Sequence, residues 1–214
     1  MGREAVNEAS IPLDVPYAHL HRDWQGDWCP SIRSSANREA IARNPRLARR
    51  PAADLARQNG LLPATRAGAG ASFSDVVACH IAVSHPERFR RILGLAVLAP
   101  AIATDIDPET VRQLRAQFEA SDLRLALATR AEGDQAEAVP FAMSRITPLV
   151  EAEGQALLRE WMVGLPPALE GRIRLTLPKG ETFAALAPAS APRRRLVHEV
   201  ARLILAETSE EGKQ

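Results

Sequence analysis

The sequence is poor in several residue types that point to particular classes of protein. Its 214 residues include two cysteines, two lysines and one tyrosine, and aromatic residues make up 4% of the chain. Runs of β-branched residues are rare, and no apolar run is long enough to span a bilayer. The start of the chain also lacks the pattern of a signal peptide. We therefore expect a cytoplasmic chain in a reducing environment, neither a disulfide scaffold nor a membrane-spanning protein.

Alanine and leucine, both strong helix formers, are abundant. The chain is 46% apolar and 25% charged, as is usual for a globular protein. This composition predicts an all-α protein, a single irregular helical domain of about seven to nine helices. We assign residues 1–16 to an extended N-terminal arm, 17–207 to the helical domain and 208–214 to a disordered tail. A glycine-containing stretch near 60–71 is expected to be a flexible connection within the domain.

The formal net charge of +1 argues against a nucleic-acid binder and against direct membrane binding. The charge is nevertheless uneven along the chain. Residues 1–70 carry ten arginines against seven acidic residues, whereas residues 101–160 carry six arginines against eleven acidic residues. Such polarity suits a protein whose regions meet different partners, although a solvated acidic face is the simpler explanation.

The longest apolar region, 72–100, allows two interpretations. The first is chemical, because Gly70-Ala-Ser72-Phe-Ser74 followed by a helix and an apolar run resembles the nucleophile elbow of an α/β-hydrolase. In that interpretation Ser72 is the nucleophile. The elbow requires a second glycine and a buried strand immediately before it, and this sequence has neither.

The second interpretation of this region is structural. Ser72 is a good N-cap, with Asp75 as the acid of a capping box. Pro86 fits the first turn of a following helix that runs to about Ala99 and is apolar nearly all round. We prefer this interpretation, in which the region forms two capped helices in the core.

The rest of the chain is predicted to be mainly helical. Two weak helices are predicted near 34–43 and 51–59, because this region has few large apolar residues and two prolines. Later helices are predicted to start at Asp107-Pro108, at Ser121-Asp122, near residue 135, at Thr147-Pro148 and near Pro192. Apolar and polar residues alternate at 172–177, which predicts either a short extended segment or a short helix packed on the bundle.

No catalytic, cofactor-binding or metal-binding constellation emerges, so we expect no enzyme activity and no cofactor. His19, His21 and Cys29 lack a fourth metal ligand at a usual spacing. Aromatic and basic residues are better candidates for contacts with a partner, because they dominate protein interfaces. The candidate interface consists of Tyr17, Trp24, Trp28, Arg172, Arg174, Arg193, Arg194 and Arg195.

Three features, in this order, resemble the K-type sorting-platform proteins of bacterial type III secretion systems (the SctK, YscK and PscK group). The first is Tyr17-x-His19-Leu20 followed by Trp24 and Trp28. The second is a Cys79-centred helix that leads into Arg90-Arg91 and a leucine-rich run. The third is Trp161 followed by Leu165-Pro166 and Arg172-Ile-Arg-Leu-Thr-Leu-Pro178. The resemblance covers most of the chain apart from 33–71.

This resemblance implies a non-enzymatic, all-α adaptor in the bacterial cytoplasm, peripheral to the inner membrane at the base of the injectisome. Such an adaptor links the cytoplasmic domain of the inner-membrane ring (D-type) protein to the pod (Q-type) protein. Through the pod protein it reaches the L-type stalk and the N-type ATPase. Nucleic acid and direct membrane insertion are not part of this role.

Two other classes of function stay open. An α/β-hydrolase-like serine hydrolase with Ser72 as nucleophile predicts labelling of that residue by a serine-reactive probe. A small helical regulatory binding protein predicts salt-sensitive binding of a ligand or nucleic acid.

Overall fold

The computed structural model describes residues 13, 15–61, 70–104, 108–129, 145–180 and 186–211. In these ranges the chain forms ten α-helices and a 3₁₀ turn, Tyr17–His19, and no strand. The helices are α1 (Arg22–Trp28), α2 (Ser35–Ala42), α3 (Pro45–Gln58), α4 (Phe73–Ser84), α5 (Pro86–Thr104), α6 (Pro108–Gln117), α7 (Ala120–Thr129), α8 (Ile146–Val163), α9 (Pro167–Arg174) and α10 (Ala191–Glu211). The all-α prediction is confirmed, with ten helices in the described ranges instead of seven to nine.

The chain divides into two compact units. The first comprises Met1–Pro86 and Leu165–Ala184, and the second comprises Glu87–Gly164 and Ala185–Gln214. The first unit thus contains α1–α4 and α9. The second contains α6–α8, α10 and all of α5 except its first residue. Each unit has its own set of buried apolar side chains.

In the first unit, α4 packs against α9, and α3 contacts both α1 and α2. The buried side of α4 includes Val77, Ile81 and Val83, whereas α9 contributes Leu169 and Ile173. A second cluster joins the N-terminal segment to the end of this unit. It consists of Tyr17, Leu20, Trp28, Leu55 and Leu175.

In the second unit, α5 is buried on most of its surface, as its apolar pattern predicts. Phe89, Ile92, Leu93, Leu95, Leu98 and Ala99 are all buried. Helices α5 and α8 approach each other at two glycines, and a Cβ at Gly94 would collide with the carbonyl of Val150. A Cβ at Gly154 would likewise collide with the carbonyl of Arg90. The two glycines therefore allow the two backbones to touch.

Helices α4, α5 and α6 begin where the capping residues predict, whereas α7 and α8 begin one residue before the predicted Ser121 and Thr147. The Ser72 side chain accepts a hydrogen bond from the Asp75 N–H and so caps α4. Pro86 and Pro108 are the first residues of α5 and α6, where a missing N–H costs nothing. Gly164 ends α8. The capped-helix interpretation of 72–100 is confirmed.

Two prolines lie inside helices, contrary to the prediction that α3 begins near residue 51 and α5 ends near Ala99. Helix α3 already begins at Pro45, where Asn44 accepts a hydrogen bond from Arg46 N, and it continues through Pro51. Helix α5 likewise continues through Pro100 to Thr104. A proline removes one helical hydrogen bond, and packing of the flanking turns offsets this cost.

The segment 172–177 is not extended. Helix α9 continues to Arg174, and a turn formed by the N–H groups of Leu175, Thr176 and Leu177 follows it. The alternation of apolar and polar residues fits this short helix and turn, because Arg172 and Thr176 are buried together with their apolar neighbours. Of the two alternatives, the short helix is correct.

The C-terminal helix is longer than predicted. Helix α10 continues to Glu211, through residues 208–211 of the predicted tail, and the Thr208 hydroxyl donates to the Ile204 carbonyl. The helix predicted around 135–146 lies largely outside the described residues. In the described ranges, no helix combines the length and the apolar character needed to cross a membrane.

Candidate functional site

The aromatic segment Tyr17–Trp28 is packed onto the core of its own unit. The rings of Tyr17 and Trp28 lie 4.7 Å apart and are tilted by 48°. Both side chains are buried, Trp28 to 2% exposure. Trp24 is half-buried, and its Nε1 donates to the Leu177 carbonyl at 2.9 Å. Replacing Trp28 with alanine therefore tests folding. Part of the Trp24 ring is accessible, so replacing Trp24 also tests contact with a partner.

The two arginines predicted near 172–174 have different environments. Arg172 is buried, and its Nε donates to the Leu13 carbonyl at 2.9 Å while Nη1 donates to the Ala168 carbonyl. Because this buried guanidinium binds the N-terminal segment at Leu13, Arg172 is not accessible to a partner. Arg174 is exposed and pairs with Glu170, four residues earlier on α9.

The three consecutive arginines belong to the second unit, at the start of α10. Arg193 pairs with Glu160 of α8 at 2.8 Å. The Arg194 N–H donates to the Ser190 carbonyl. Only Arg195 is exposed. The predicted interface residues are thus distributed over both units, and most of them have structural contacts.

The groove that the first unit offers to a partner lies along α3. We call it the α3 groove, a cleft of about 860 Å³ lined by Trp28, Cys29, Pro30, Ser31, Ile41, Leu47, Arg50, Pro51, Asp54, Arg57 and Gln58. The α3 residues recur at a spacing of three or four, so they form one stripe along the helix. Leu47 is 55% exposed, the largest exposure among the large apolar side chains of the described residues.

The α3 groove borders the aromatic cluster of the first unit, since Trp28 belongs to both. Leu55 is buried in the cluster around Tyr17 and Trp28, with Ala48 packed beside it. Leu47 and Pro51 lie eight and four residues before Leu55, on the same side of the helix, but Leu47 is 55% exposed. Because Pro51 has no N–H, the Leu47 carbonyl also lacks its usual helical donor. The apolar side of helix α3 is therefore buried at Leu55 and exposed at Leu47.

The surroundings of the α3 groove are strongly basic. Residues 33–59 contain seven arginines and two acidic residues. Asp54 lies within 4.0 Å of both Arg50 and Arg57, and Glu39 lies 3.9 Å from Arg43. Both acids are thus already paired, and in the described part of the chain no carboxylate pairs with Arg46 or Arg49. The groove therefore carries an excess of positive charge.

Sequence reasoning missed the α3 groove. The sequence pattern indicates Trp28 but not Leu47, Ile41 or Arg50, because a proline at position 51 predicts that a helix starts there. The available signal was Asn44-Pro45, an N-cap followed by proline at the first helical position, as at Asp107-Pro108. With α3 placed correctly, Leu47, Pro51 and Asp54 fall on one face.

Ser72 makes the contacts of a helix cap. Its Oγ donates to Asp75 Oδ2 at 2.7 Å and accepts from the Asp75 N–H at 3.1 Å. These two contacts are those of a capping box. No histidine is among these contacts, and the described residues contain no strand that could carry a nucleophile elbow. The serine is therefore a helix cap.

The histidines and cysteines have individual structural contacts. His19 Nδ1 lies 3.0 Å from the Val83 carbonyl, and the His21 side chain caps α1. Burial raises the pKa of the Cys79 thiol to about 12, and this thiol donates a hydrogen bond to the Leu169 carbonyl at 3.7 Å. In the part of the chain that the structure describes, no three such side chains are grouped to hold a metal ion.

The second unit contains a buried ionic cluster. Asp122 is fully buried, with Oδ1 2.8 Å from Arg88 Nε and Oδ2 3.5 Å from Arg91 Nη1. Arg88 also pairs with Glu207 of α10. The cluster connects α5, α7 and α10, so its role is to hold these helices together.

Comparisons of the chain with protein-family models, curated proteins and solved structures found no match. The similarity to K-type sorting-platform proteins therefore rests on the three sequence features alone, and the role that it implies stays a prediction.

Proposed function

We propose that this chain is a non-enzymatic adaptor of the type III secretion sorting platform. In this role it links the cytoplasmic domain of the inner-membrane ring protein to the pod protein at the base of the secretion apparatus. The L-type stalk and the N-type ATPase are indirect partners, reached through the pod protein.

One observation carries the proposal: segments from all three features of the resemblance meet in one packed unit. Trp24 of the first feature donates to Leu177 of the third, across more than 150 residues of chain. Cys79 of the second feature donates to the carbonyl of Leu169, which lies between Leu165-Pro166 and Arg172 of the third feature. His19 contacts the Val83 carbonyl, which joins the first feature to the second. Parts of the three features are therefore in contact within the first unit, whereas Arg90-Arg91, the leucine-rich run and Trp161 belong to the second unit.

The surface of this unit also suits an adaptor better than an enzyme. The α3 groove is an open cleft with an exposed leucine and a rim of arginines. Such a surface is compatible with protein recognition, because the cores of protein interfaces are apolar and arginine is enriched in them. The serine hydrolase alternative is less well supported, since Ser72 makes the contacts of a helix cap and the described residues contain no strand.

The proposal is tested by co-purification from a secretion-competent bacterium that carries the chain with an affinity tag. We expect recovery of the ring protein, the pod protein, the stalk and the ATPase. In a matched strain without the pod protein, the ring protein should still be recovered, whereas the stalk and the ATPase should be lost. Failure to recover both the ring and the pod protein with a folded chain would refute the adaptor role.

A further inference from the structure

We propose that the α3 groove binds an acidic amphipathic helix of a partner protein. This inference rests on the proposed adaptor function and adds the chemistry of one partner. Two properties of the groove point to such an occupant: its apolar stripe and its charge.

The apolar stripe has the dimensions of a helix-binding surface. From Leu47 to Gln58, α3 spans about 16 Å at the usual rise of a helix, which corresponds to about three turns of a partner helix. Leu47, Pro51 and Ile41 provide the apolar floor. A helix that lies in such a groove presents its own apolar residues at a spacing of i, i+3, i+4 and i+7.

The charge selects an acidic partner. Arg50 and Arg57 line the groove and are exposed, and the surrounding residues 33–59 carry seven arginines against two acidic residues. Guanidinium groups bind carboxylates through two parallel hydrogen bonds, and they repel lysine-rich segments. The one acidic side chain that lines the groove, Asp54, already pairs with two of these arginines.

The alternatives fit the surface less well. An added β-strand needs an unpaired strand edge, and the described residues of the first unit contain no strand. Single-stranded nucleic acid needs accessible aromatic rings for stacking, and the one aromatic residue in the groove, Trp28, is buried. An acidic helix uses both the apolar floor and the arginine rim.

Purified full-length chain and a designed peptide test the inference. The probe is a fluorescein-labelled peptide of about 16 residues, with leucine at i, i+3, i+4 and i+7 and with glutamate and alanine elsewhere. We expect saturable binding by fluorescence anisotropy. A scrambled peptide of the same composition, and a version with lysine for glutamate, should bind about tenfold more weakly or not at all.

Variants of the chain locate the binding site. Leu47→Ala should weaken binding about tenfold, since it removes an apolar anchor. Arg50→Glu should weaken it about fivefold, with a smaller effect at high salt. The matched controls are Leu127→Ala, whose side chain is 45% exposed, and Arg195→Glu, both in the second unit. Both controls should retain binding within about twofold, and circular dichroism should show all four variants folded.

Several outcomes would overturn the inference. One is equal binding of the scrambled or the lysine peptide, and another is equal loss of affinity in the control variants. Self-association of the chain that Leu47→Ala abolishes, measured by sedimentation, would assign the groove to a second copy instead. Because the assay uses purified components, its failure alongside successful co-purification would refute this inference and leave the adaptor role intact.

Discussion

The helices of 72–100 and the arginine-rich pair α2–α3 use their apolar residues in opposite ways. Helix α5 buries its large apolar side chains on several faces, and α4 is buried along most of its length. Helix α2 has no buried residue, and α3 has one, Leu55. The largest apolar residue that α3 exposes, Leu47, lies instead on the surface of the α3 groove.

This contrast separates residues that the fold requires from residues that a partner can use. A fully buried leucine contributes its burial to stability in the isolated chain. A leucine that stays more than half exposed contributes little until another surface covers it. Stability measurements should therefore distinguish the two regions before any partner is identified.

The largest expected effect comes from a matched pair of leucines. Leu93→Ala removes a side chain with 0% exposure in α5 and should lower the free energy of unfolding by about 4 kcal/mol. Leu47→Ala should lower it by less than about 0.5 kcal/mol. Urea denaturation of both variants measures the difference. Similar losses in the two variants would mean that Leu47 belongs to the core, and the contrast between the regions would disappear.

A smaller effect is expected at the contact between α5 and α8. Gly94→Ala places a methyl group against the Val150 carbonyl, and separating the backbones should cost about 3 kcal/mol. The control is Gly26→Ala in α1, where the added methyl group meets no atom within 4 Å. Because alanine favours helix, the control should raise stability by up to about 1 kcal/mol. Thermal unfolding of both variants tests this, and a stable Gly94→Ala variant would contradict the close approach.

Sequence patterns were sufficient for the helices that bury most of their surface. Ser72, Pro86 and Pro108 each occupy a helix start where their side chain is favourable, and these signals are local. The apolar residues of α5 are dense enough to predict burial without knowing their partners. In such segments local preference and packing agree.

Prediction failed where local preference and packing disagree. Pro51 is a helix breaker by local rules, yet α3 continues through it because Ala48 and Leu55 pack on the aromatic cluster. An arginine such as Arg172 is expected at the surface. It is buried because its guanidinium binds the carbonyl of Leu13, which is far away in the sequence. The α3 groove depends on the same long-range packing, so the sequence predicted only Trp28 among its lining residues.

The pH dependence of stability tests the burial of α4. Burial raises the pKa of the Cys79 thiol from 9.0 to about 12, so the unfolded chain loses this proton at lower pH than the folded chain. The free energy of unfolding should thus fall as pH rises from 9 to 12, by about 1.4 kcal/mol between pH 8 and pH 10. Cys79→Ala should remove this part of the pH dependence, whereas Cys29→Ala should keep it. Equal slopes in the two variants would show that Cys79 titrates normally.

The smallest expected effect concerns the start of α4. Ser72→Ala removes the side chain that accepts from the Asp75 N–H and donates to its carboxylate, and this should lower the free energy of unfolding by about 1 kcal/mol. Ser74→Ala is the matched control, because Ser74 is exposed on the same helix and is not the cap. Urea denaturation and a secretion assay in the proposed system are the measurements. Secretion should persist in both variants, since a lost cap weakens one helix end without altering a surface. A Ser72→Ala variant with full stability but no secretion would instead restore the hydrolase interpretation. The region 72–100 would then have a catalytic role as well as a structural one.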